Sequence, residues 1–234
     1  MTREMTLSIL IPVYNEQKTL EEVLNRILSI HWKFEVEIIV IDDASTDGSG
    51  KILELFEQRI ILLKHESNSG KGACIRNALR ICRGQFIIIQ DADLEYSPEE
   101  IPLLVDTALA GPFDVIYGSR FKNLLDKSSM YQSFYLGNKF LTWLANKATG
   151  KNLTDMETCY KLISREALEK IELHENGFGI EPEITCKLAK LADLNWSEVP
   201  ITYHARTIQE GKKIKWSDGF KAVFIIIKIA YFEV

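Results

Sequence analysis

Short apolar runs alternate with segments of helical periodicity over about the first half of the chain, and this alternation limits the fold more than any other feature. The runs are LSILIPV (7–13), VEIIVID (36–42), IILLKH (60–65), QFIIIQD (85–91) and DVIYGS (114–119). Runs of this kind are typical of strands that are buried on both faces. Apolar residues between the first two runs lie at helical spacing and predict a crossover helix: Leu20, Val23, Leu24, Ile27 and Leu28. Comparable helices are predicted at about 48–58, 71–83 and 98–110, so the pattern favours an α/β fold with a single doubly wound, mostly parallel sheet.

The second half of the chain is less regular. Helical patterns lie near 132–149 and 181–192, and a strand is predicted at 195–203. No internal repeat, low-complexity stretch or shift in composition marks an independent unit. We therefore predict one domain, in which 1–119 forms the larger sheet and 120–234 is a smaller elaboration that completes the site.

Charge and cysteine content exclude several classes of protein. The formal net charge is −5, which argues against a general nucleic-acid-binding protein. The four cysteines show neither CxxC pairing nor histidines at ligand spacing, so neither a disulfide framework nor a zinc site is predicted, and a reducing cytosol is expected. The segment MTREMTLSILIPVYNEQ lacks the basic and apolar regions of a signal peptide.

The longest apolar run near the C-terminus is AVFIIIKIAYF (222–232), which Lys228 interrupts. It is shorter than the roughly 18 to 20 apolar residues that span a bilayer. Together with Trp216, Lys221, Phe224 and Tyr231, this run is compatible with a helix in the headgroup region of a membrane. Packing on the protein's own core or on a second subunit is an equally good interpretation.

Acidic residues follow the fourth apolar run, where QDADLEYS places Asp91, Asp93 and Glu95 at every second position. Ligands of doubly wound sheets bind beyond the carboxyl ends of the strands. Carboxylates two apart on a strand point the same way and repel one another, so burying them together requires a cation. Oxygen ligands without sulfur or imidazole suit Mg²⁺ or Mn²⁺, which indicates a metal that carries a diphosphate. The alternative is that Asp91 caps a turn, while Glu95, Glu99 and Glu100 complement the N-terminus of the next helix.

Two other clusters follow strands. Asp42 and Asp43 have the chemistry to accept hydrogen bonds from a base or a ribose, although the same residues suit a turn and helix cap. Lys71, in the segment NSGKG, offers a cation for phosphate next to a backbone that permits close approach. A simple glycine turn before a helix explains that segment equally well.

Taken together, the motifs resemble a known family. IPVYNE, DDASTDGS, NSGKGAC, QDADLEYSPEE and YGSRF are similar to motifs of glycosyltransferase family 2, whose members are inverting enzymes of GT-A fold. LTDMETCYKLISREAL, FGIEPEIT, EVPITYHAR and EGKKI resemble dolichol-phosphate mannose synthases and related polyprenyl-phosphate glycosyltransferases. The resemblance implies one GT-A domain over 1–234, with 1–119 as the nucleotide-sugar-binding half and 120–234 as the acceptor-side half, which ends in a helix.

The resemblance also assigns roles to residues. With Lys71 and Ala92, the residues expected at the nucleotide sugar are Pro12, Tyr14, Glu16, Asp42, Asp43 and Asp91. Asp91 and Asp93 match the DxD metal pair, with Asp93 as the more direct ligand, and Glu95 is expected as a third metal contact where mannose synthases usually carry glutamine. Arg120, Arg206 and Lys213 match basic residues at the donor or acceptor phosphates, and with Asp93 they form the expected catalytic set.

One segment departs from the resemblance. The family's Ser-Gly-Phe-Arg stretch here reads Thr158-Cys159-Tyr160-Lys161, so its contacts with sugar and acceptor are not carried over, whereas Asp155 upstream matches.

The implied reaction moves a hexosyl group, mannose or glucose, from a GDP-mannose or UDP-glucose type of donor to a polyprenyl phosphate. Mg²⁺ or Mn²⁺ is the implied cofactor, and the acceptor is met peripherally at the cytoplasmic face of a membrane. A phosphate acceptor is already anionic and needs no strong base, whereas a hydroxyl acceptor on a glycan or metabolite requires one, such as Glu157 or Asp155. A non-catalytic nucleotide-sugar-binding module is the alternative from another class. For each of the three cations, an ion pair at the surface is the alternative to a phosphate contact.

Overall fold

The computed structural model describes residues 5–122, 132–206, 213 and 216–233. Within these ranges the strands form a seven-stranded mixed sheet of order β3-β2-β1-β4-β6-β5-β7. The strands are β1 (Thr6–Val13), β2 (Glu35–Asp42), β3 (Ile61–Lys64), β4 (Phe86–Ile89), β5 (Val115–Ser119), β6 (Lys161–Ser164) and β7 (Trp196–Pro200). The pairings are parallel except those of β6 with β4 and β5. The predicted α/β fold with a mostly parallel sheet is therefore confirmed.

The helices lie between the strands and close to the predicted positions. They are α1 (Leu20–Ser29), α2 (Ser49–Glu54), α3 (Lys71–Leu79), α4 (Ile101–Ala110), α5 (Gln132–Thr149), α6 (Arg165–Leu168), α7 (Ile180–Ala189) and α8 (Trp216–Tyr231). A 3₁₀ turn, Pro98–Glu100, precedes α4. The second helix ends earlier than the predicted 48–58, because the backbone N–H groups of Leu55 and Phe56 bond three residues back and tighten the last turn.

The strand β6 is not predicted by the sequence pattern. It has only four residues and begins with the fully buried Lys161, so Leu162 and Ile163 alone carry its apolar signal. It runs antiparallel between β4 and β5, with Tyr117 of β5 opposite Lys161. Because its direction is reversed, the loop that precedes β6 lies at the carboxyl ends of β4 and β5. This reversal brings part of the second half of the chain to the predicted site.

The main core lies on the sheet, and α1 shows how the helices are held to it. The apolar stripe of α1 is buried at Leu20, Val23, Leu24 and Ile27, while Leu28 is partly buried. Burying one such side chain stabilises the fold by about 1.5–3 kcal/mol. A ten-residue helix is marginal by itself, so packing on the sheet supplies most of its stability.

A second, smaller core joins α5, α7 and α8. Its buried members are Leu141, Ala145, Met156, Cys186, Ala222, Ile225, Ile226 and Ile229. One face of the C-terminal helix therefore packs on the protein's own core, as one of the two interpretations expected. The side chain of Trp216 is outside the described part of the chain. Among the described helices, none combines the length and the apolar character that crossing a bilayer requires.

Candidate active site

The acids beyond β4 lie among cations. The Asp91 carboxylate is 2.8 Å from Nζ of Lys71, and the Asp93 carboxylate is 3.0 Å from Nη2 of Arg206. Glu95 is buried and accepts hydrogen bonds from the Tyr203 hydroxyl and the Arg206 backbone N–H, each at 2.8 Å. The structure thus gathers all three predicted acids at one corner of the sheet.

Electrostatics at this corner indicate a binding place for positive charge. Burial, together with the neighbouring charges of Asp91 and Glu95, raises the pKa of Asp93 to about 7. Burial also acts to raise the pKa of Asp91, but the Lys71 ammonium outweighs it and the pKa lies below its ordinary value. The side chains of Asp91 and Asp93 stay 23% and 14% exposed, so both remain accessible. Accessible carboxylate oxygens close to one another fit a hard divalent cation.

Glu95 is placed differently from the two aspartates. Its carboxylate holds Tyr203 and the backbone of Arg206, so it anchors the segment that carries Arg206. The backbone of Leu94 adopts a left-handed φ of 61°, which turns the chain sharply between Asp93 and Glu95. In that turn Asp93 Oδ1 accepts the Glu95 N–H at 3.0 Å. A third metal contact by Glu95 stays a prediction.

The loop after β1 meets the same cations. Glu16 is buried and accepts from Arg206 Nη1 at 2.9 Å and from Lys213 Nζ at 2.6 Å. Lys213 Nζ also donates to the carbonyl of Tyr14 and lies 5.6 Å from the centre of its ring. Pro12 lies near the end of β1, partly buried. Of the two cations predicted as phosphate contacts, Arg206 therefore bridges Glu16 to Asp93, while Lys213 contacts Glu16 and the Tyr14 carbonyl.

The two acids at the end of β2, Asp42 and Asp43, are tied to neighbouring loops. Asp42 Oδ1 accepts the Ser45 N–H at 2.9 Å. Asp43 is 2% exposed and accepts the backbone N–H groups of Ser69 at 2.8 Å and Gly70 at 2.7 Å. His65 Nδ1 lies 2.7 Å from the same carboxylate. Asp43 thus fixes the loop that leads to Lys71, and its predicted contact with base or ribose stays a prediction.

Asp43, His65 and Cys74 place one ligand atom each within 4.8 Å of one another, the single such group of three among the residues that the structure describes. Asn77 Nδ2 lies 2.9 Å from His65 Nε2, so His65 has partners on both ring nitrogens. A surface depression of about 530 Å³ adjoins the trio and includes His65 and Asn77 in its lining. Asp43 and His65 have hydrogen-bond partners in the folded chain, so the trio connects the end of β2 to α3.

Lys71 begins α3 and points into the site. Its predecessor Gly70 has a φ of +93°, and a Cβ there would lie 2.4 Å from the carbonyl oxygen of Asn176. Only glycine suits such a position. The side chain of Lys71 is largely buried, with Nζ 2.8 Å from Asp91 and 2.9 Å from Glu181. The turn and the site contact, offered as alternatives by the sequence, occur together here.

Arg120, just after β5, is held in a buried ion pair. Its Nε and Nη2 atoms each lie 2.7 Å from an oxygen of Asp155, and its backbone N–H donates to the same carboxylate at 3.0 Å. The guanidinium also lies 5.1 Å from the ring centre of Tyr203. The Arg120 side chain is 7% exposed and that of Asp155 is 0% exposed, so the surface ion pair considered from the sequence is wrong. A phosphate contact by Arg120 stays a prediction.

The first residue of β6 and the start of α7 add two groups to which sequence reasoning gave no role, Lys161 and Glu181. Lys161 is fully buried and donates to Glu181 and to the carbonyl of Thr158. In the sequence, Glu181 lies within the motif FGIEPEIT and has no assigned role. A carboxylate in the first turn of a helix ordinarily complements the helix dipole, so its position alone does not indicate a buried ion pair. No local signal pairs Glu181 with a lysine of another segment.

Comparison with known proteins identifies the family. Residues 8–172 match the family described as Glycosyl transferase family 2. The chain is 33% identical over 175 residues to the undecaprenyl-phosphate 4-deoxy-4-formamido-L-arabinose transferase of Proteus mirabilis. This alignment covers 72% of this chain and 52% of that protein. It is 26% identical over 212 residues to the dolichol-phosphate mannosyltransferase of Pyrococcus furiosus, in an alignment that covers 89% of this chain and 59% of that protein. The chain spans about half the length of such curated relatives.

Solved structures show the same fold. The glucosyl-3-phosphoglycerate synthase of Mycobacterium tuberculosis, in complex with Mn²⁺, UDP and glucosyl-3-phosphoglycerate, superposes with a TM-score of 0.73 at 18% identity, covering 97% of this chain and 80% of that one. This likeness confirms the predicted GT-A fold. Together with the family match over residues 8–172, it leads to one identification: the chain belongs to glycosyltransferase family 2.

Proposed function

We propose that the protein is a metal-dependent, inverting glycosyltransferase that moves a hexosyl group from a nucleotide diphosphate sugar to a polyprenyl phosphate. The observation that carries the proposal is the juxtaposition of Asp91 and Asp93 with Arg206 and Lys213 at the carboxyl ends of the strands. Relatives named for undecaprenyl phosphate and dolichol phosphate support the acceptor class. A donor of the GDP-mannose or UDP-glucose type is part of the proposal.

The nucleotide is expected to lie between the loops after β1, β2 and β4. Pro12, Tyr14 and Asp42 border this space at the first two strands. At the third, Ala92 is buried and its carbonyl accepts a hydrogen bond from the Thr19 hydroxyl at 2.7 Å. That bond ties the DxD turn to the start of α1, so the turn is rigid where it would support the donor.

The cations have a direct role in the chemistry. A divalent ion held by Asp91 and Asp93 would supply positive charge to the departing nucleoside diphosphate. Arg206 and Lys213 would add positive charge from the chain itself at the same place: both contact Glu16, and Arg206 also contacts Asp93. Transition-state charge is stabilised most by groups that are already in place where it develops. An anionic acceptor needs such cations more than it needs a base.

A membrane location is supported by an exposed apolar surface, here termed the α5–α8 face. The two helices pack against each other and leave large side chains in solvent. Its exposed members are Leu136, Phe140 and Trp143 of α5 and Phe220, Phe224, Ile227 and Tyr231 of α8. Phe220 and Phe224 are 77% and 67% exposed. Aromatic and aliphatic residues on one face of amphipathic helices insert into the headgroup region of a bilayer.

The side of the membrane is also part of the proposal. All four cysteines are free and buried, which suits a reducing compartment. We therefore place the protein peripherally at the cytoplasmic face, where its α5–α8 face would bring the site to a lipid-linked acceptor.

A second candidate function is transfer to a hydroxyl acceptor, and Glu157 favours it. Burial, with the nearby charges of Glu181 and Asp155, raises the pKa of Glu157 to about 7, which is suitable for a general base. Its Oε1 atom is buried without a hydrogen-bond partner among the described residues. Under this alternative, replacing Glu157 by glutamine abolishes transfer. Under the lipid-phosphate proposal it changes transfer little.

The proposed function is tested by a thermal-shift screen of nucleotide sugars in Mn²⁺ and in chelator, followed by transfer assays with polyprenyl phosphate in vesicles. The true donor raises the melting temperature only when metal is present, because a ligand that binds the folded state stabilises it by mass action. The Asp93→Asn variant serves as the matched control and loses this response. Stabilisation that is equal in chelator, or retained by Asp93→Asn, would contradict the proposal.

A further inference from the structure

Behind the DxD acids lies a buried chain of alternating charges, here termed the Lys71 relay, which consists of Asp91, Lys71, Glu181 and Lys161. Lys71 Nζ lies 2.8 Å from Asp91 Oδ1 and 2.9 Å from Glu181 Oε1. The other oxygen of Glu181 accepts from Lys161 Nζ. Lys71 is therefore shared between an acid of the site and an acid behind it.

The members behind the site are held rigidly. Glu181 has a side chain that is 5% exposed, and Lys161 is fully buried. Lys161 is fixed in turn by the Thr158 carbonyl and lies 5.0 Å from the ring centre of Tyr117. Buried ion pairs contribute little to stability by themselves, so such a chain calls for another explanation.

Lys71 and a divalent cation would compete for the same carboxylate. The Lys71 ammonium lies 2.8 Å from Asp91, so a divalent cation on the same carboxylate would bring two further positive charges close to it, and like charges repel strongly where water is scarce. Lys71 must then give up Asp91, and a buried ammonium without a counter-charge is costly. Glu181 already contacts Lys71, so the ammonium can leave one acid while it keeps the other.

We propose that Glu181 is a positioning residue that retains Lys71 when a divalent cation takes Asp91, and that Lys161 holds Glu181 in place for this exchange. The inference rests on the proposed function, because it assumes metal binding at the DxD pair. Glu181 touches neither substrate nor metal in this account. It acts through Lys71 alone.

The test is a Mn²⁺ titration followed by the electron paramagnetic resonance signal of free Mn²⁺, with Mn²⁺ alone and with UDP or GDP present. Among the residues that the structure describes, replacing Glu181 by glutamine leaves Lys71 with Asp91 as its one acidic partner, so we expect Mn²⁺ to bind about tenfold more weakly. The Glu181→Gln/Lys161→Met variant removes both charges of the buried pair and should weaken Mn²⁺ binding similarly while folding like the wild type. It covers the case in which Glu181→Gln alone fails to fold.

A second background separates the relay from a general loss of negative charge. In Lys71→Met, no ammonium competes for Asp91, so adding Glu181→Gln should change Mn²⁺ affinity less than about twofold. A purely electrostatic effect of Glu181 would persist in that background and would overturn the inference.

Glu183 supplies the matched control. It lies on the same helix, is 2% exposed and pairs with Lys187 at 2.8 Å, but its other contacts are the backbone N–H groups of His174 and Glu175. Glu183→Gln should leave Mn²⁺ affinity unchanged.

The remaining outcomes are distinct. Wild-type affinity in Glu181→Gln and in the double variant overturns this inference alone. A wild-type protein that binds no Mn²⁺ even with UDP or GDP, or an Asp93→Asn variant that binds it as well as the wild type, overturns the proposed function and this inference together.

Discussion

Replacing Asp93 by asparagine should stabilise the metal-free protein, and the gain should depend on pH. In the folded protein burial and the charges of Asp91 and Glu95 raise the pKa of Asp93 to about 7, against an ordinary value of 3.8. Between these two values the folded state binds a proton that the unfolded state has released. Stability therefore falls as pH rises through this window, and the full penalty is present above pH 7.

The magnitude follows from the same two pKa values. A tenfold difference in proton affinity corresponds to about 1.4 kcal/mol, so the interval from 3.8 to about 7 gives an upper limit of about 4 kcal/mol. Asparagine has nearly the same shape but no charge to bury. For a domain of this size, about 4 kcal/mol corresponds to roughly 10 °C in melting temperature.

The assay is urea unfolding of the wild type and Asp93→Asn from pH 5 to pH 8.5 in the presence of chelator. The same two pKa values make the variant more stable by up to about 1.7 kcal/mol already at pH 5, and this advantage should widen to about 4 kcal/mol by pH 8.5. Because the comparison is between two proteins that share Glu157, the contribution of that residue cancels. Asp106→Asn, at an exposed position on α4, is the matched control and should show no such widening. A constant difference across the range, or a variant that is less stable at pH 8, would refute the reasoning.

Four further predictions each concern the replacement of one residue. Arg120→Ala should lower the free energy of unfolding, measured in urea, by about 3–5 kcal/mol, because it leaves Asp155 charged and fully buried. The double variant Arg120→Ala/Asp155→Ala should lose less than Arg120→Ala alone, and this difference would confirm the pairing. Burial raises the pKa of Glu157 to about 7, so the Glu157→Gln variant should lose less stability than the wild type between pH 5 and 7. An unchanged pH profile of the free energy of unfolding would contradict that shift. Gly70→Ala should lower the free energy of unfolding by about 2 kcal/mol or more, because a φ of +93° at this position disfavours any side chain. A melting temperature equal to that of the wild type would show that glycine is not needed there. Phe224→Ser should weaken binding to lipid vesicles about tenfold in a flotation assay without lowering the melting temperature, because Phe224 is exposed. Undiminished vesicle binding would argue against the α5–α8 face as the membrane contact.

The sequence by itself determined the larger part of the sheet and the position of the acids. Strands in the first half read as apolar runs because they are buried on both faces, and helix α1 shows its buried side by spacing alone. The carboxyl ends of parallel strands must meet at one edge, so the sequence also predicts that the DxD acids share that edge with the loops after β1 and β2. These features depend on local periodicity, which the order of residues contains directly.

Only the tertiary structure decided which charges meet. Arg206 and Glu16 are 190 residues apart in the chain, and they meet because residues 203–206, after β7, contact the loops that follow β4 and β1. Likewise, Lys71 meets Glu181 only because α3 and α7 converge behind the DxD turn. The reversed β6, too short to give a signal, brings the loop containing Asp155 to Arg120. Such pairs depend on topology and on the shared cost of burying charge, and no local pattern of residue types encodes either.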